Sequence, residues 1–255
     1  MTNTFVKDKT GLQRLYIDTL IILCNNIWRR TPYNKYSYMN ILYINSKNPE
    51  KKKVGKAAGI IRKGGVVIFP TDTVYGIGAR ADRKVSVGRI FRIKGRAGNK
   101  PLILFINKRD LNIYIKCIPA GAKKIIARFW PGALTMVFKA GRGIRFPVKD
   151  RRGTVGIRMP DHRFLLAALK KAGVAFATTS ANISGQKSPT SVKDIPETML
   201  NKADLVIDGG RTSKGKASTV LDLTAEPFRV LREGAVSLKQ LQKAVRASCF
   251  VHRVS

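Results

Sequence analysis

The fold class is decided by the stretch GGVVIFPTDTVYGIG, residues 64–78. Within it, Val66 to Phe69 is a continuous apolar run of strand length, and the turn-forming residues 70–73 follow it directly. Upstream, the apolar residues between 52 and 62 recur at i, i+3, i+4 and i+7, which predicts a helix that the two leading glycines end. A helix, a buried strand and a polar turn in succession are typical of an α/β protein.

The same alternation continues along the rest of the chain. Short β-branched runs predict further strands at residues 102–106, 134–138, 154–158, 174–178, 204–207, 218–223 and 228–231. Amphipathic runs predict helices around residues 87–91 and over 122–129, 164–171 and 238–245. The predicted fold is therefore a single α/β domain over residues 39–255, in which helices flank a twisted, mixed sheet.

The N-terminal residues 1–38 follow neither period. They are predicted to form a poorly structured extension, or else Met39 is the natural start of the protein. The apolar run at residues 15–24 is interrupted by Asp18 and precedes no small-residue cleavage site. Nothing in the sequence approaches the roughly 20 apolar residues of a membrane span. We therefore expect a cytoplasmic protein that does not associate with membranes.

The charge balance is the unusual feature of the composition. Lys and Arg number 49 against 15 Asp and Glu, which gives a formal net charge of +34. Residues 1–38 hold six Lys and Arg and two Asp, so +30 remains on the rest of the chain. This balance predicts polyanionic partners or substrates, such as nucleic acids or nucleotides.

Few residues of the types that bind zinc or form disulfides are present. The chain has two histidines and three cysteines that lie far apart, Cys24, Cys117 and Cys249. This spacing excludes a locally assembled zinc site and a C-x-x-C redox pair. An odd number of unclustered cysteines also fits a reducing compartment.

Polar segments follow several of the predicted strands, where ligands gather in open α/β sheets. Each alone also fits a capped turn or a solvated loop. The segments are residues 70–78 (PTDTVYGIG), 94–101 (KGRAGNKP), 178–190 (TTSANISGQKSPT) and the pair 218–220 (STV) and 232–234 (REG).

These segments supply cations and hydroxyls but no obvious general base. His162 stands at a predicted helix start and His252 near the C-terminus, so a Ser-His-Asp triad is not indicated. No P-loop sequence is present either. Arg and Lys clamps combined with backbone donors can neutralise a nucleoside triphosphate, so the sequence favours phosphoryl or adenylyl transfer by charge and positioning.

Taken in order, the segments resemble the YrdC/TsaC family of threonylcarbamoyl-adenylate synthases. The family pattern is P-T-[DE]-T-V-Y-G-[LI]-G, K-x-R, K-P-L, S-x-N, S-T-[VI] and R-x-G, and the match covers about residues 40 to 247. Residues 130–132 (WPG) and 155–160 (VGIRMP) fit the connecting segments. The resemblance implies the single-domain form of the family, with a YrdC-like sheet and an open, basic concave face.

The resemblance also implies a reaction and a set of site residues. L-threonine and bicarbonate would form N-carboxy-threonine, which attacks the α-phosphate of ATP to give threonylcarbamoyl-AMP and pyrophosphate. A downstream tRNA-modification complex would consume the product. Carried over by motif, Thr73, Arg158, Thr178 and Ser218 would contact threonine. ATP would be bound by Arg96, Lys100, Thr154, Ser180, Asn182, Ser188 and Arg232, with Lys94 and Arg96 as the catalytic residues.

The chain departs from the family pattern at one position. The family often has P-L-x-x-H after the cationic cluster, whereas residue 105 is Phe. Because that histidine is expected beside threonine, Phe105 would alter amino-acid affinity or selectivity, or mark a paralogue with weakened synthase activity. Mg²⁺ should accompany ATP, and the sequence identifies no protein ligand for it; Asp72 fits a turn cap equally well.

Two other interpretations stay open. The first is a non-catalytic YrdC-like protein that binds tRNA or double-stranded RNA through phosphate contacts, which the net charge of +34 favours. A compositional bias of the source proteome would give the same charge. The second is a carbamoyl-handling enzyme that uses this fold with another acceptor.

Overall fold

A computed structural model describes residues 40–98, 100–142, 144, 148–244 and 250–252 of the chain. The strands are β1 Ile41–Tyr43, β2 Val67–Phe69, β3 Gly76–Arg80, β4 Ile103–Phe105, β5 Leu134–Lys139, β6 Thr154–Arg158, β7 Phe176–Ser180, β8 Leu205–Asp208, β9 Thr219–Asp222, β10 Phe228–Arg232 and β11 Phe250–His252. The α-helices are α1 Lys51–Arg62, α2 Lys84–Lys94, α3 Leu111–Tyr114, α4 Ala122–Phe129, α5 Arg163–Ala172, α6 Glu197–Leu200 and α7 Leu238–Ala244.

All of these strands belong to one sheet, in the order β1-β8-β2-β3-β7-β4-β6-β5-β9-β10-β11. Parallel pairs (β1 with β8, β8 with β2, β4 with β6) occur beside antiparallel ones (β2 with β3, β3 with β7, β4 with β7). The predicted mixed sheet flanked by helices is confirmed.

Strand β3 was not predicted, because its glycines indicated a flexible loop. Both Gly76 and Gly78 instead lie in extended backbone, in register with Phe69 and Val67 of β2. A Cβ at Gly78 would lie 2.9 Å from the Phe69 ring and 2.9 Å from Thr178 Cγ2. The glycines therefore allow close packing between three neighbouring strands, rather than a turn.

The main core lies between one side of the sheet and the helices α1 and α5. The apolar stripe predicted for α1 is buried, and the apolar side of α5 packs with it against Val67, Phe69 and Leu205. This packing fixes the ends of β2 and β8, from which the polar loops of the molecule extend.

Residues 39–255 form one compact unit, while the predicted extension at residues 1–38 lies outside the described residues. Among the described residues, no helix has the length and apolar character needed to cross a bilayer. The cytoplasmic location stays a prediction.

Candidate active site

Polar residues from all of the predicted segments meet around one cavity of about 150 Å³, called here the small cavity. This volume lies below the usual range of ligand pockets, ~300–1,000 Å³, and suits a ligand of amino-acid size, with larger groups extending through the open side. The predicted site residues that line it are Thr73, Arg96, Arg158, Thr178, Ser180, Ser188, Ser218 and Arg232.

The register of the central strands brings these residues together. Thr178 of β7 stands between Gly78 of β3 and Ile103 of β4, and its hydroxyl donates to the carbonyl of Ile103 (3.1 Å). Ser180 lies two residues further along β7, opposite Gly76. Because side chains two residues apart on a strand share a face, Thr178 and Ser180 face the cavity together.

A chain of hydroxyl groups orders the turn after β2. Thr71 Oγ1 accepts hydrogen bonds from the backbone N–H groups of Thr73 (2.9 Å) and Val74 (3.2 Å) and donates to the Val74 carbonyl (2.7 Å). Since the Thr71 proton is used in this way, the Thr73 hydroxyl donates to Thr71 Oγ1 over 2.8 Å. The Thr73 side chain is thereby fixed at the cavity wall.

Arg158, at the end of β6, is held on three sides. Its Nη1 donates to Thr73 Oγ1 (2.8 Å), its Nη2 to Asp72 Oδ1 (2.5 Å) and its Nε to the Gly132 carbonyl (2.9 Å). In the ion pair of Arg158 and Asp72, each side chain is only 4% exposed. Of the five guanidinium N–H groups, one on each Nη remains for a ligand, which suits a carboxylate.

The other two arginines of the cavity are anchored by backbone carbonyls. Arg96 donates from Nε to Lys100 (3.0 Å) and from Nη2 to Pro101 (3.0 Å). Arg232 donates from Nε (3.2 Å) and Nη2 (2.8 Å) to the carbonyl of Ser218, just before β9. Neither guanidinium has a carboxylate partner among the described contacts, so both keep donors and charge for an anionic ligand.

The electrostatics of the small cavity favour anions. Three arginines line it, and no carboxylate does. Burial lowers the pKa of Arg96, Arg158 and Arg232 below the ordinary guanidinium value, since each positive charge is desolvated. A bound carboxylate or phosphate would relieve this cost.

Phe105 takes part in the wall beside Arg158. The two residues are register partners on β4 and β6, and the Arg158 guanidinium carbon lies 5.6 Å from the centroid of the Phe105 ring. Phe105 also packs against Phe69, with ring centroids 6.3 Å apart. The phenylalanine therefore supports the guanidinium by a cation–π contact.

Four predicted site residues do not line the small cavity. Lys94 is buried, and its ammonium group donates to the carbonyls of Ser180 and Asn182. Desolvation, together with the nearby charge of Arg96, lowers the pKa of Lys94 to about 7. The Lys94 side chain thus stabilises the backbone at the end of β7 and in the loop that follows.

The other three residues lie around the site. Asn182 donates from Nδ2 to the carbonyls of Ile183 (2.9 Å) and Gln186 (2.7 Å), which closes its own loop. Lys100 is exposed, and its carbonyl holds Arg96. Thr154 begins β6, and its backbone N–H donates to Asp150 Oδ1 (2.7 Å). The predicted ligand contacts of these residues and of Lys94 stay predictions.

Several residues that build the site were not predicted as site residues. Thr71 orders the turn, Asp72 pairs with Arg158, and Thr135 exchanges a hydrogen bond with Ser218 (2.9 Å between the hydroxyl oxygens). Tyr75 is fully buried, and its hydroxyl donates to the Gly210 carbonyl (2.7 Å). Three of these, Thr71, Asp72 and Tyr75, lie within the motif PTDTVYG. The partners of Asp72 and Tyr75 are too distant in sequence to have been deduced.

The described residues contain no cluster of three His, Cys, Asp or Glu side chains that could hold a metal ion.

The chain is similar to several known proteins. A family model for Sua5, YciO and YrdC proteins, described as "Telomere recombination", matches residues 59–234. The threonylcarbamoyl-AMP synthase of Pyrococcus abyssi is 41% identical over 197 residues, which cover 77% of this chain and 58% of the relative. The threonylcarbamoyl-AMP synthase of Bacillus subtilis is 36% identical over 195 residues, or 76% and 56% of the two chains. This chain therefore spans less than three fifths of the length of both.

Solved structures of related proteins superpose on this chain. The crystal structure of P. abyssi Sua5 complexed with L-threonine superposes with a TM-score of 0.79 and 38% identity, covering 83% of this chain and 62% of that chain. Escherichia coli YciO superposes with a TM-score of 0.72 and 27% identity, covering 79% of this chain and 98% of that chain.

Proposed function

The chain belongs to the Sua5/YciO/YrdC family, and from this premise we propose that it is a threonylcarbamoyl-AMP synthase, a nucleotidyltransferase acting on L-threonine, bicarbonate and ATP. The observation that supports the proposal most directly is the small cavity, where three arginines and several hydroxyls meet without a carboxylate. A site of this charge suits a substrate carboxylate and a phosphate held side by side.

Threonine is assigned to the inner part of the cavity. The free N–H groups of the Arg158 guanidinium would grip its carboxylate, while the hydroxyls of Thr73, Thr178 and Ser218 would position its polar groups. Arg158 is well suited to this role because Asp72 and Thr73 fix its orientation before the substrate arrives. That L-threonine was bound to P. abyssi Sua5 supports this choice of amino acid.

The nucleotide is assigned to the open side, as MgATP. Arg96 and Arg232 would bind its phosphates, and Ser180 and Ser188 would line its path. Bicarbonate and the threonine amine would form N-carboxy-threonine with loss of water. An oxygen of the N-carboxylate group would attack the α-phosphorus, a new O–P bond would form, and the bond to pyrophosphate would break. The arginines would stabilise the charge that develops on the phosphate oxygens.

The experiment is a pyrophosphate-release assay with purified protein, MgATP, bicarbonate and threonine. We expect release that requires threonine, and Arg96→Ala should lower turnover by roughly 10²-fold or more. Arg128→Ala, on the exposed side of α4, is the matched control for loss of one arginine. Equal release without threonine would contradict the synthase, and unchanged turnover in Arg96→Ala would contradict the assigned role of that arginine.

RNA binding is a second candidate, favoured by the net charge of +34. As a synthase, the protein would deliver its product to a downstream complex that modifies tRNA. A synthase of this kind could also contact tRNA or double-stranded RNA directly. In the alternative form, the protein binds RNA and catalyses no reaction. The two forms differ in one measurement, because only the synthase releases pyrophosphate.

A further inference from the structure

A second, larger cavity of about 850 Å³ lies on the other side of the turn after β2. It is bounded by the residues that follow β1, β8 and β2, three neighbouring strands that run parallel. In open α/β sheets, ligands bind at the carboxyl ends of such strands. Its volume falls within the ~300–1,000 Å³ of ordinary small-molecule sites.

Three residues that line the large cavity carry buried polar atoms without hydrogen-bond partners. They are Asp72 Oδ2, His162 Nδ1 and Thr212 Oγ1, on side chains of residues that are 4%, 9% and 8% exposed. Across the described residues, only Asn182 Oδ1 shares this condition. An unpaired buried polar atom is costly, so three at one cavity indicate a surface that a polar ligand completes.

The rim of the same cavity is positively charged. Lys47, Arg163 and Arg211 are exposed there, against the single exposed carboxylate of Asp161. Arg163 also begins the ten-residue helix α5, whose first turn has no acidic residue and no side-chain cap. Because a helix N-terminus carries partial positive charge and free N–H groups, the rim favours an anionic group such as a phosphate.

We propose that the large cavity is a second ligand site for a phosphorylated small molecule of nucleotide size, with its phosphate at the α5 N-terminus and its hydroxyl or amino donors on Asp72 and His162. Asp72 Oδ2 accepts a donor group, and Thr212 Oγ1 can donate or accept. The neutral imidazole of His162 supplies one further nitrogen to the ligand.

The two cavities share a wall, so the second site would be coupled to the first. Thr71 lines both cavities. Asp72 lines the large cavity and uses Oδ1 to hold Arg158 of the small one, whereas its Oδ2 has no hydrogen-bond partner. A donor on Oδ2 would draw charge from the Arg158 contact and so modulate anion binding in the small cavity.

The experiment observes His162 directly by NMR of histidine-labelled protein, with the ring signals of His162 and His252 assigned by His252→Gln. AMP is titrated first, and pyrophosphate, which lacks donor groups, second. The titrations use Arg96→Gln protein as well as the wild type, so that a contribution from the small cavity is recognised by its weakening in the variant. We expect AMP to shift the His162 signals and to bind more tightly than pyrophosphate.

Two charge variants locate the phosphate. Arg163→Gln should weaken AMP binding about tenfold, since it removes a charge-assisted donor. Lys170→Gln, an exposed residue in the last turn of the same helix, removes the same charge and should leave AMP binding unchanged. Pyrophosphate release by the enzyme is not part of the readout, so failure of the proposed synthase activity would not affect this test.

Three results would overturn the proposal. The first is the absence of any His162 shift at millimolar AMP and pyrophosphate. The second is equal AMP affinity in the Arg163→Gln and Lys170→Gln proteins. The third is a His162 shift that appears with an RNA oligonucleotide but with neither small phosphate.

Discussion

At the scale of single residues, the Asp72–Arg158 pair has the largest expected effect on stability. Both side chains are buried, and Asp72 Oδ1 is the only carboxylate oxygen described as bonded to Arg158. In Asp72→Asn the guanidinium charge loses its partner, so we expect the free energy of unfolding to fall by about 3–5 kcal/mol. Chemical denaturation measures this change.

The matching double variant separates charge from packing. Asp72→Asn combined with Arg158→Gln removes both charges and should recover much of the lost stability, because no uncompensated ion remains buried. Threonine binding should be lost in the double variant, because the Arg158 guanidinium is absent. Wild-type stability in Asp72→Asn alone would show that the pair is not buried as described.

Phe105 gives a second prediction at this scale. Its ring lies 5.6 Å from the Arg158 guanidinium carbon, a contact worth about 1 kcal/mol. Phe105→Leu keeps an apolar side chain but removes the ring, so threonine affinity should fall roughly fivefold in calorimetric titration. Phe176→Leu, a buried register neighbour on β7, is the control and should reduce stability without changing threonine affinity. An equal loss in both variants would contradict the cation–π role.

His162 makes stability depend on pH. Burial lowers the pKa of the imidazole from 6.5 to about 4, so the unfolded chain binds the proton more readily than the folded one. The contribution is fully present above pH 6.5 and is lost as the pH falls toward 4, by about 3 kcal/mol in total. Acidic residues also titrate in this window. The measured quantity is therefore the difference between wild type and His162→Gln, and identical pH profiles would contradict the shift.

At the scale of elements, Gly234 lets the chain that leaves β10 pass close to the residues just before β9. A Cβ there would lie 2.2 Å from the Ala217 carbonyl oxygen and 2.5 Å from the Ser218 carbonyl carbon. The glycine N–H donates to Thr219 Oγ1 (2.8 Å), which places the Ser218 carbonyl under Arg232. The glycine of the R-x-G motif is thus explained by a close approach between backbones.

Gly234→Ala should lower the free energy of unfolding by about 1–3 kcal/mol and weaken nucleotide binding, because the backbone that anchors Arg232 has to shift. The control is Gly88→Ala in α2, where no atom lies within 4 Å of the added Cβ. That variant should gain about 1 kcal/mol from helix propensity. Thermal unfolding should show a loss of stability in Gly234→Ala and a gain in Gly88→Ala. A Gly234→Ala protein as stable as the wild type would show that a side chain is tolerated at this position.

The elements also show what the sequence could and could not predict. Period and turn residues identified α1, α5 and most of the central strands, because each carries its own apolar pattern. Strand β3 was missed because glycines in a sequence usually indicate a turn. Only the folded structure shows that these glycines allow neighbouring strands to pack closely. Thr73, Arg96 and Arg232, which the motifs placed in one site, line one cavity. The burial of Lys94 could not be deduced, because a lysine is buried only when the fold supplies acceptors such as the carbonyls after β7.

At the scale of the whole molecule, the net charge of +34 has two explanations with different consequences. A general compositional bias spreads lysines and arginines without regard to a ligand, and such a surface binds any polyanion similarly. An RNA footprint arranges them to match phosphate spacing and discriminates between polyanions. Among the described ion pairs, only that of Asp72 and Arg158 is buried, so most of the charge on the described residues is available to solvent and ligands.

We expect the protein to bind tRNA with an affinity that falls steeply with salt, since each neutralised phosphate releases a counterion. A footprint of about five phosphates would lower the affinity roughly 10²- to 10³-fold between about 50 and 200 mM salt. The measurement is a fluorescence titration of labelled tRNA across this range, with heparin as the competing polyanion. Under a footprint, tRNA outcompetes heparin at equal charge concentration, whereas a compositional bias predicts equal competition. Affinity that does not change with salt would exclude phosphate contacts as its source and leave the positive charge without a role in RNA binding.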